Sequence, residues 1–166
     1  MAINLNSVWI SRAPGRPAVS VVIIATLTSA AALICLVALG RLSGHMLLVP
    51  SMAASMALIA GAPDLPLSQP RNVVGGQVLS ALIGVLMGLL SHSLWAAALA
   101  GAMALGAMMA ARTPHSPAAA TAVIGALLVS GQAAFIAGVA VSACVLVAFG
   151  LVRARLTGAH YPAYWW

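Results

Sequence analysis

Residues 18–39 run for 22 positions without a charge, a glycine or a proline. As a helix that is about 33 Å, enough to cross the hydrocarbon layer of a bilayer. Inside lipid every backbone amide must find its partner within the protein, so only helices and closed barrels cross. Further apolar runs follow at residues 46–62, 72–90, 94–111, 118–130 and 133–152, and nowhere is there the β-branched alternation bounded by regular turns that marks a barrel. Charged residues make up 5% of the chain, against about 25% in soluble domains. These features predict an all-α membrane protein, a helical bundle of six membrane segments in which four are long and two are short or broken. A chain of 166 residues has room for one membrane domain at 18–155, between a retained cytoplasmic N-terminal tail at 1–17 and an aromatic C-terminal tail at 156–166. Such a small bundle buries little of itself, so self-association into a homo-oligomer is expected.

Seven arginines face one acid, Asp64, for a net charge of +6. They stand singly between apolar runs, which argues for lipid headgroups as their partners and against nucleic acid. If all six segments cross from a cytoplasmic N-terminus, Arg12, Arg16, Arg71, Arg112, Arg153 and Arg155 are inside and Arg41 alone is outside. If the short segments only dip in and return, the division is four against three. The first arrangement obeys the positive-inside rule better and is the one expected, in a bacterial inner membrane.

Two polar, helix-breaking passages interrupt the oily chain: PDLPLSQPRNVVGGQ at 63–77, with three of the nine prolines, and RTPHSP at 112–117. Each short segment follows an Arg, a His and a Pro: Arg41, His45 and Pro50 in the first half, Arg112, His115 and Pro117 in the second. After each proline come small residues, a hydroxyl (Ser55 or Thr121) and an apolar stretch. The order long, short, long therefore recurs, and with three crossings per half it predicts a 3+3 inverted repeat, an arrangement in which transporters place their binding sites. Stripes of small residues every four positions, Gly76, Ser80, Gly84 and Gly88, then Ala134, Gly138 and Ser142, predict close helix packing. Cys35 and Cys144 read as small packing residues.

Three passages resemble the HPP family of small integral membrane proteins: SMAASMALIAGAPDLPLSQPRNVVGGQVLSALIGV at 51–85, TPHSPAAATAVIGAL at 113–127, and YPAYW at 161–165. The name-giving His-Pro-Pro stands here as His115-Ser116-Pro117, which removes one proline constraint. Some plastid and cyanobacterial members are associated with nitrite transport, so the resemblance implies nitrite as a candidate solute.

The amide ends of two short helices meeting near the midplane would favour an anion. The substrate-binding candidates are accordingly Arg71, Asn72, His115, Ser116, Ser55, Thr121, Gln69 and Arg112. The arginines would supply attraction, His115 a donor or a proton, and the hydroxyls and amides hydrogen bonds. Gln69 and Asn72 equally suit the capping of backbone that Pro66 and Pro70 disrupt, and Arg71 suits an anchoring role. One acid leaves no paired carboxylates, and adjacent Ser116 and His115 cannot face each other on a helix, so no enzyme chemistry, cofactor or metal site is expected. The function expected is a transporter or channel for a small inorganic anion. The alternative is an accessory or assembly subunit of a larger membrane complex.

Overall fold

The computed structural model of the chain describes residues 15–165, and among them all regular structure is helical. The helices are α1 (Val19–Ser43), α2 (Pro50–Gly61), α3 (Pro70–Leu90), α4 (Leu94–Ala110), α5 (Pro117–Leu127) and α6 (Gln132–Thr157), with a 3-10 turn at Pro66–Ser68. All six expected segments are present. Most of the expected N-terminal tail, with Arg12, and the final Trp166 lie outside the described residues.

Three helices, α1, α3 and α6, are long and apolar enough to cross a membrane, where four were expected. The fourth, α4, has 17 residues, about 26 Å. It stops because Arg112 takes a left-handed conformation, φ 58°, and the amides of Thr113 and Arg112 fold back onto the carbonyls of Met108 and Met109 at 2.9 and 3.1 Å. Helix α1 closes in the same way around Gly44, φ 72°, with the amide of His45 on the carbonyl of Gly40. Each of these ends delivers the chain into a short non-helical stretch, residues 44–49 or 111–116, before a proline opens the next helix. Proline at that place gives up an amide that would lack an intrahelical partner anyway.

The side-chain registers fix the direction of each helix. Gly76, Gly84 and Gly88 of α3 meet His115, Ala122 and Ala126 in that order, so α3 and α5 run parallel. Leu47, just ahead of α2, sits on Gly138, and Ile59 near its end sits on Gly150, so α2 and α6 also run parallel. Met108 near the end of α4 meets Gly76 near the start of α3, an antiparallel pair. Pro70 and Arg71 of α3 share a groove with Val147 and Leu151 of α6, again antiparallel. The C-terminal end of α1 lies beside residues 46–48, at the N-terminal end of α6. Direction therefore alternates through the whole chain. Of the six described arginines, Arg16, Arg71, Arg112, Arg153 and Arg155 gather at one end of the bundle and Arg41 stands at the other.

Packing divides between two clusters. Leu36, Met52, Met56, Ile59 and Leu146 tie α1, α2 and α6 together, and alanines 97, 100, 104, 122 and 126 join α4 to α5. The stripe on α3 lets α5 approach until backbone touches backbone: a Cβ on Gly84 would overlap the main chain of Ala122, and one on Gly88 would lie 2.9 Å from the carbonyl oxygen of Ala126. The α6 stripe instead receives the extended residues before α2, with the Ser142 hydroxyl donating to the carbonyl of Leu47 at 2.9 Å. Outside these contacts the helices expose many large apolar side chains. In α1 only Ala32 and Leu36 are buried, while Val19, Ile23, Leu27 and Ile34 are open, as lipid-facing positions should be.

Two outcomes follow from this packing. Gly84→Ala should destabilise the protein by about 1–3 kcal/mol, the usual cost of overpacking. Gly106→Ala, with nothing within 4 Å of the new methyl, should be neutral or raise stability by up to about 1 kcal/mol; thermal unfolding in detergent checks both. Single cysteines at Leu65 and Ala111, in a protein lacking Cys35 and Cys144, should react with an impermeant thiol reagent from one face of the membrane and a Ser43→Cys variant from the other. Labelling of all three from the same face would contradict alternating crossings.

Candidate functional site

Where α2, α3 and α5 come together, five polar side chains are buried to 1% exposure or less: Ser51, Ser55, Gln77, His115 and Thr121. Such a group is costly in an apolar interior unless each member is hydrogen-bonded, and here each one is. His115 Nδ1 lies 2.7 Å from the carbonyl oxygen of Leu67, and its Nε2 lies 2.7 Å from Ser55 Oγ. Gln77 donates from Nε2 to Ser55 Oγ at 2.8 Å and accepts at Oε1 from Thr121 Oγ1 at 2.5 Å. Thr121 Oγ1 is also 2.7 Å from Ser51 Oγ. The chain of bonds leads from the loop at the arginine-rich end to the first turn of α2.

Local structure explains the placement. Ser51 and Ser55 are four apart on α2 and so share a face. Gln77 projects from the same side of α3 as the small-residue stripe, so the close approach of α5 brings Thr121 within reach. His115 is carried by the unwound stretch before α5, its Cβ packed over Gly76, where a methyl would lie 2.8 Å away. One turn beyond Gln77, Ser80 Oγ is buried without a hydrogen-bond partner.

At the opposite end a cleft of about 290 Å3 lies between the start of α2, the end of α5 and the start of α6. Its lining includes His45, Val49, Ile124 and Phe135. Val49 is two residues from Ser51, and Ile124 is one turn from Thr121. An apolar step therefore separates the cleft from the polar chain.

The expected site residues divide into three groups. Ser55, His115 and Thr121 come together as described. Gln69 and Asn72 instead hold the interrupting loop in shape: Gln69 donates to the carbonyls of Pro63 and Leu65 at 2.8 and 3.0 Å and accepts from the amide of Ala163, while Asn72 donates to Pro66 at 2.7 Å. Tyr161 completes this seam by donating to the carbonyl of Ser68 at 3.0 Å. Arg71, Arg112 and Ser116 are not among these buried side chains. Arg71 lines an apolar groove of about 420 Å3 between α3 and α6 with Val74, Cys144, Ala148 and Trp165, and its Nη2 reaches the carbonyl of Ala111 at 3.5 Å. Arg112 and Ser116 are exposed, one ending α4 and the other preceding α5.

The amide ends of the short helices are less available than the sequence suggested. Pro50 and Pro117 have no N–H, and the amides of Met52, Ala118 and Ala119 turn back onto Val49, His115 and Ser116. The polar side chains, not the helix termini, occupy the junction. Ser51 and Gln77 were missed among the candidates. A carboxamide inside an apolar helix, one turn from a small-residue stripe, is the signal that marks Gln77.

The family described as "HPP, transmembrane region" matches residues 14–162. Two transmembrane proteins of Dictyostelium discoideum are similar: one is 32% identical over 129 residues, covering 72% of this chain and 42% of the relative, and the other 31% identical, covering 72% and 45%. The chain thus spans less than half the length of these curated relatives. No solved structure matches.

Burial raises the pKa of the Tyr161 phenol above its ordinary value, so the folded protein favours the neutral ring. A raised folded pKa contributes stability below the unfolded value of about 10 and loses it as pH rises further. Wild-type unfolding temperature should therefore drop from about pH 10 upward. Tyr161→Phe should cost about 1 kcal/mol at pH 8, the worth of its hydrogen bond, and show a shallower alkaline decline in the same melting assay.

Proposed function

The chain belongs to the HPP family, and from that membership and the buried polar chain we propose that it is a membrane transport protein for a small inorganic anion, with nitrite the first solute to test. The observation that carries this reading is the buried, hydrogen-bonded set Ser51, Ser55, Gln77, His115 and Thr121 where α2, α3 and α5 meet, with a cleft of about 290 Å3 lined by Val49 and Ile124, near neighbours of Ser51 and Thr121 in the chain. A site made of hydroxyl, amide and imidazole donors, without a carboxylate among them, suits an anion better than a cation. Polar groups at membrane depth are expensive to bury, and solute pathways are where they are usually found.

The helix contacts support the inverted 3+3 repeat. Exchanging α1 with α4, α2 with α5 and α3 with α6 turns each principal contact into another: α1 on α2 becomes α4 on α5, α1 on α6 becomes α4 on α3, and α2 on α6 becomes α5 on α3. The pairs α2 with α5 and α3 with α6 map onto themselves. Helices α1 and α4 also end in the same left-handed closure. In such repeats the solute site lies at the boundary of the halves, which here is the crossing of α2 with α5. The arginine-rich end is assigned to the cytoplasm by the positive-inside rule.

Purified protein in liposomes should take up nitrite above the rate of protein-free vesicles. Thr121→Val, which keeps shape but loses the hydroxyl, should slow that uptake about tenfold, roughly the worth of one buried hydrogen bond, and Thr121→Ser should preserve it. Uptake by Thr121→Val equal to wild type would remove the polar chain from the pathway. Absence of any uptake, with co-purification in fixed ratio with a larger membrane complex, would instead support an accessory subunit.

A further inference from the structure

Counting donors and acceptors places every hydrogen in the buried chain but the second one on Gln77 Nε2. The carbonyl of Leu67 can only accept, so His115 Nδ1 carries a hydrogen and donates it. In the neutral ring Nε2 then offers a lone pair, and the Ser55 hydroxyl donates to it. Gln77 donates to Ser55, Thr121 donates to Gln77, and Ser51 donates to Thr121. One acceptor stays in reserve. Ser55 Oγ lies 2.9 Å from the carbonyl oxygen of Ser51, one turn earlier on α2, and that oxygen is not needed while the hydroxyl points at His115.

That reserve gives the site a second complete arrangement. A proton bound at Nε2 makes the ring a donor at both nitrogens: Nδ1–H keeps Leu67, and Nε2–H donates to Ser55 Oγ. The Ser55 hydrogen swings to the Ser51 carbonyl, and the bond from Gln77 is unchanged. Ser55 then accepts two hydrogens and donates one, which is the full capacity of a hydroxyl. No heavy atom has to move. Loss of the proton from Nε2 reverses the sequence, and nothing is oxidised or reduced.

We propose that His115 and Ser55 form a two-state proton site that takes up one proton together with each anion. This rests on the anion-transport reading above and names its coupling ion. Both ring nitrogens are engaged by neutral partners, Leu67 and Ser55. The charged and titratable groups on the surrounding elements are Asp64 in the loop before α3, Arg71 at the head of α3, Arg112 ahead of the ring, Cys144, Arg153 and Arg155 on α6, and His160, Tyr161 and Tyr164 in the tail; α2 and α5 contribute none. An imidazolium here lacks a hydrogen-bonded counter-charge, and a buried ion left so is costly. A monovalent anion beside it supplies that charge, and the imidazolium supplies the positive charge that hydroxyls and amides cannot. Each therefore strengthens the binding of the other, and the pair is taken up without net charge.

The test uses 15N-histidine-labelled protein in lipid nanodiscs, with the His115 ring signals identified by their loss in His115→Gln. The ring should show hydrogen on Nδ1 at high pH. Saturating sodium nitrite should raise its titration midpoint by about one pH unit for each tenfold preference of the anion for the protonated protein, since linkage is reciprocal. In Ser55→Ala the nitrite-induced rise should vanish while the other histidines titrate as in wild type, which also reports an intact fold. If Ser55→Ala does not fold, the wild-type titration decides. A midpoint indifferent to nitrite, in protein that does take nitrite up into liposomes, overturns the proton site and leaves anion transport standing. A nitrite-dependent midpoint without uptake keeps the proton site as a binding site and removes transport. Neither midpoint shift nor uptake overturns both.

Discussion

Gln77 is the side chain on which three helices close. A carboxamide offers two donor hydrogens and an acceptor oxygen, and in an apolar interior each unmet group costs on the order of 1–3 kcal/mol. Its amide nitrogen meets Ser55 of α2 and its oxygen meets Thr121 of α5. Water cannot substitute once the bundle has formed. Burial of Gln77 therefore specifies which faces of α2 and α5 turn inward, in a chain where apolar packing alone discriminates poorly because lipid and protein interior are about equally apolar.

That specification depends on distance, and distance depends on missing side chains. Gly76, Gly84 and Gly88 bring the backbone of α5 against α3, so that a threonine hydroxyl, one of the shortest polar arms, reaches the end of Gln77. A methyl on Gly76 would press into His115, and one on Gly84 into Ala122. The stripe is thus more than a packing convenience, because it sets the reach of the polar chain. The close approach also leaves little room beside Ser80, whose hydroxyl is buried with no hydrogen-bond partner.

Much of this was legible in the sequence. Uninterrupted apolar runs gave the six helices, because hydrophobic length is read directly in a lipid solvent. The four-residue spacing of small side chains foretold the α3 seam, though the sequence could not say that the partner was α5 of the same chain. Ser55 and Thr121 stood out because each follows a helix-opening proline at a similar remove, and His115 because it stands just ahead of one. Other features escaped because they are tertiary. For Gln69 and Asn72 the sequence left ligand and backbone cap both open, and what it did not show was the return of the C-terminal tail, with Ala163 on Gln69 and Tyr161 on Ser68, that closes the loop. Arg112 looks like an anion clamp, but its backbone is committed to ending α4. The reversal after Met108 is what carries His115 back toward Gly76.

The two symmetry-related contacts between the halves solve one geometric problem with different materials. At one, α5 lies against α3 through glycines, with backbone on backbone. At the other, the stretch leading into α2 lies against α6 through Leu47, seated in the notch at Gly138 and reached by Ser142. Backbone packed on backbone tolerates little sliding, because each small shift drives carbonyl into Cα. A leucine side chain in a notch has rotamers to spare, and the Ser142 hydroxyl that reaches the Leu47 carbonyl also has that of Gly138 at 2.7 Å. If helices shift around a fixed polar centre, the more compliant contact is therefore the α2–α6 seam, with α3, α4 and α5 acting as the rigid frame. Val49 stands at the head of α2 on that compliant side, and the cleft it lines is the one that such a movement would open or shut.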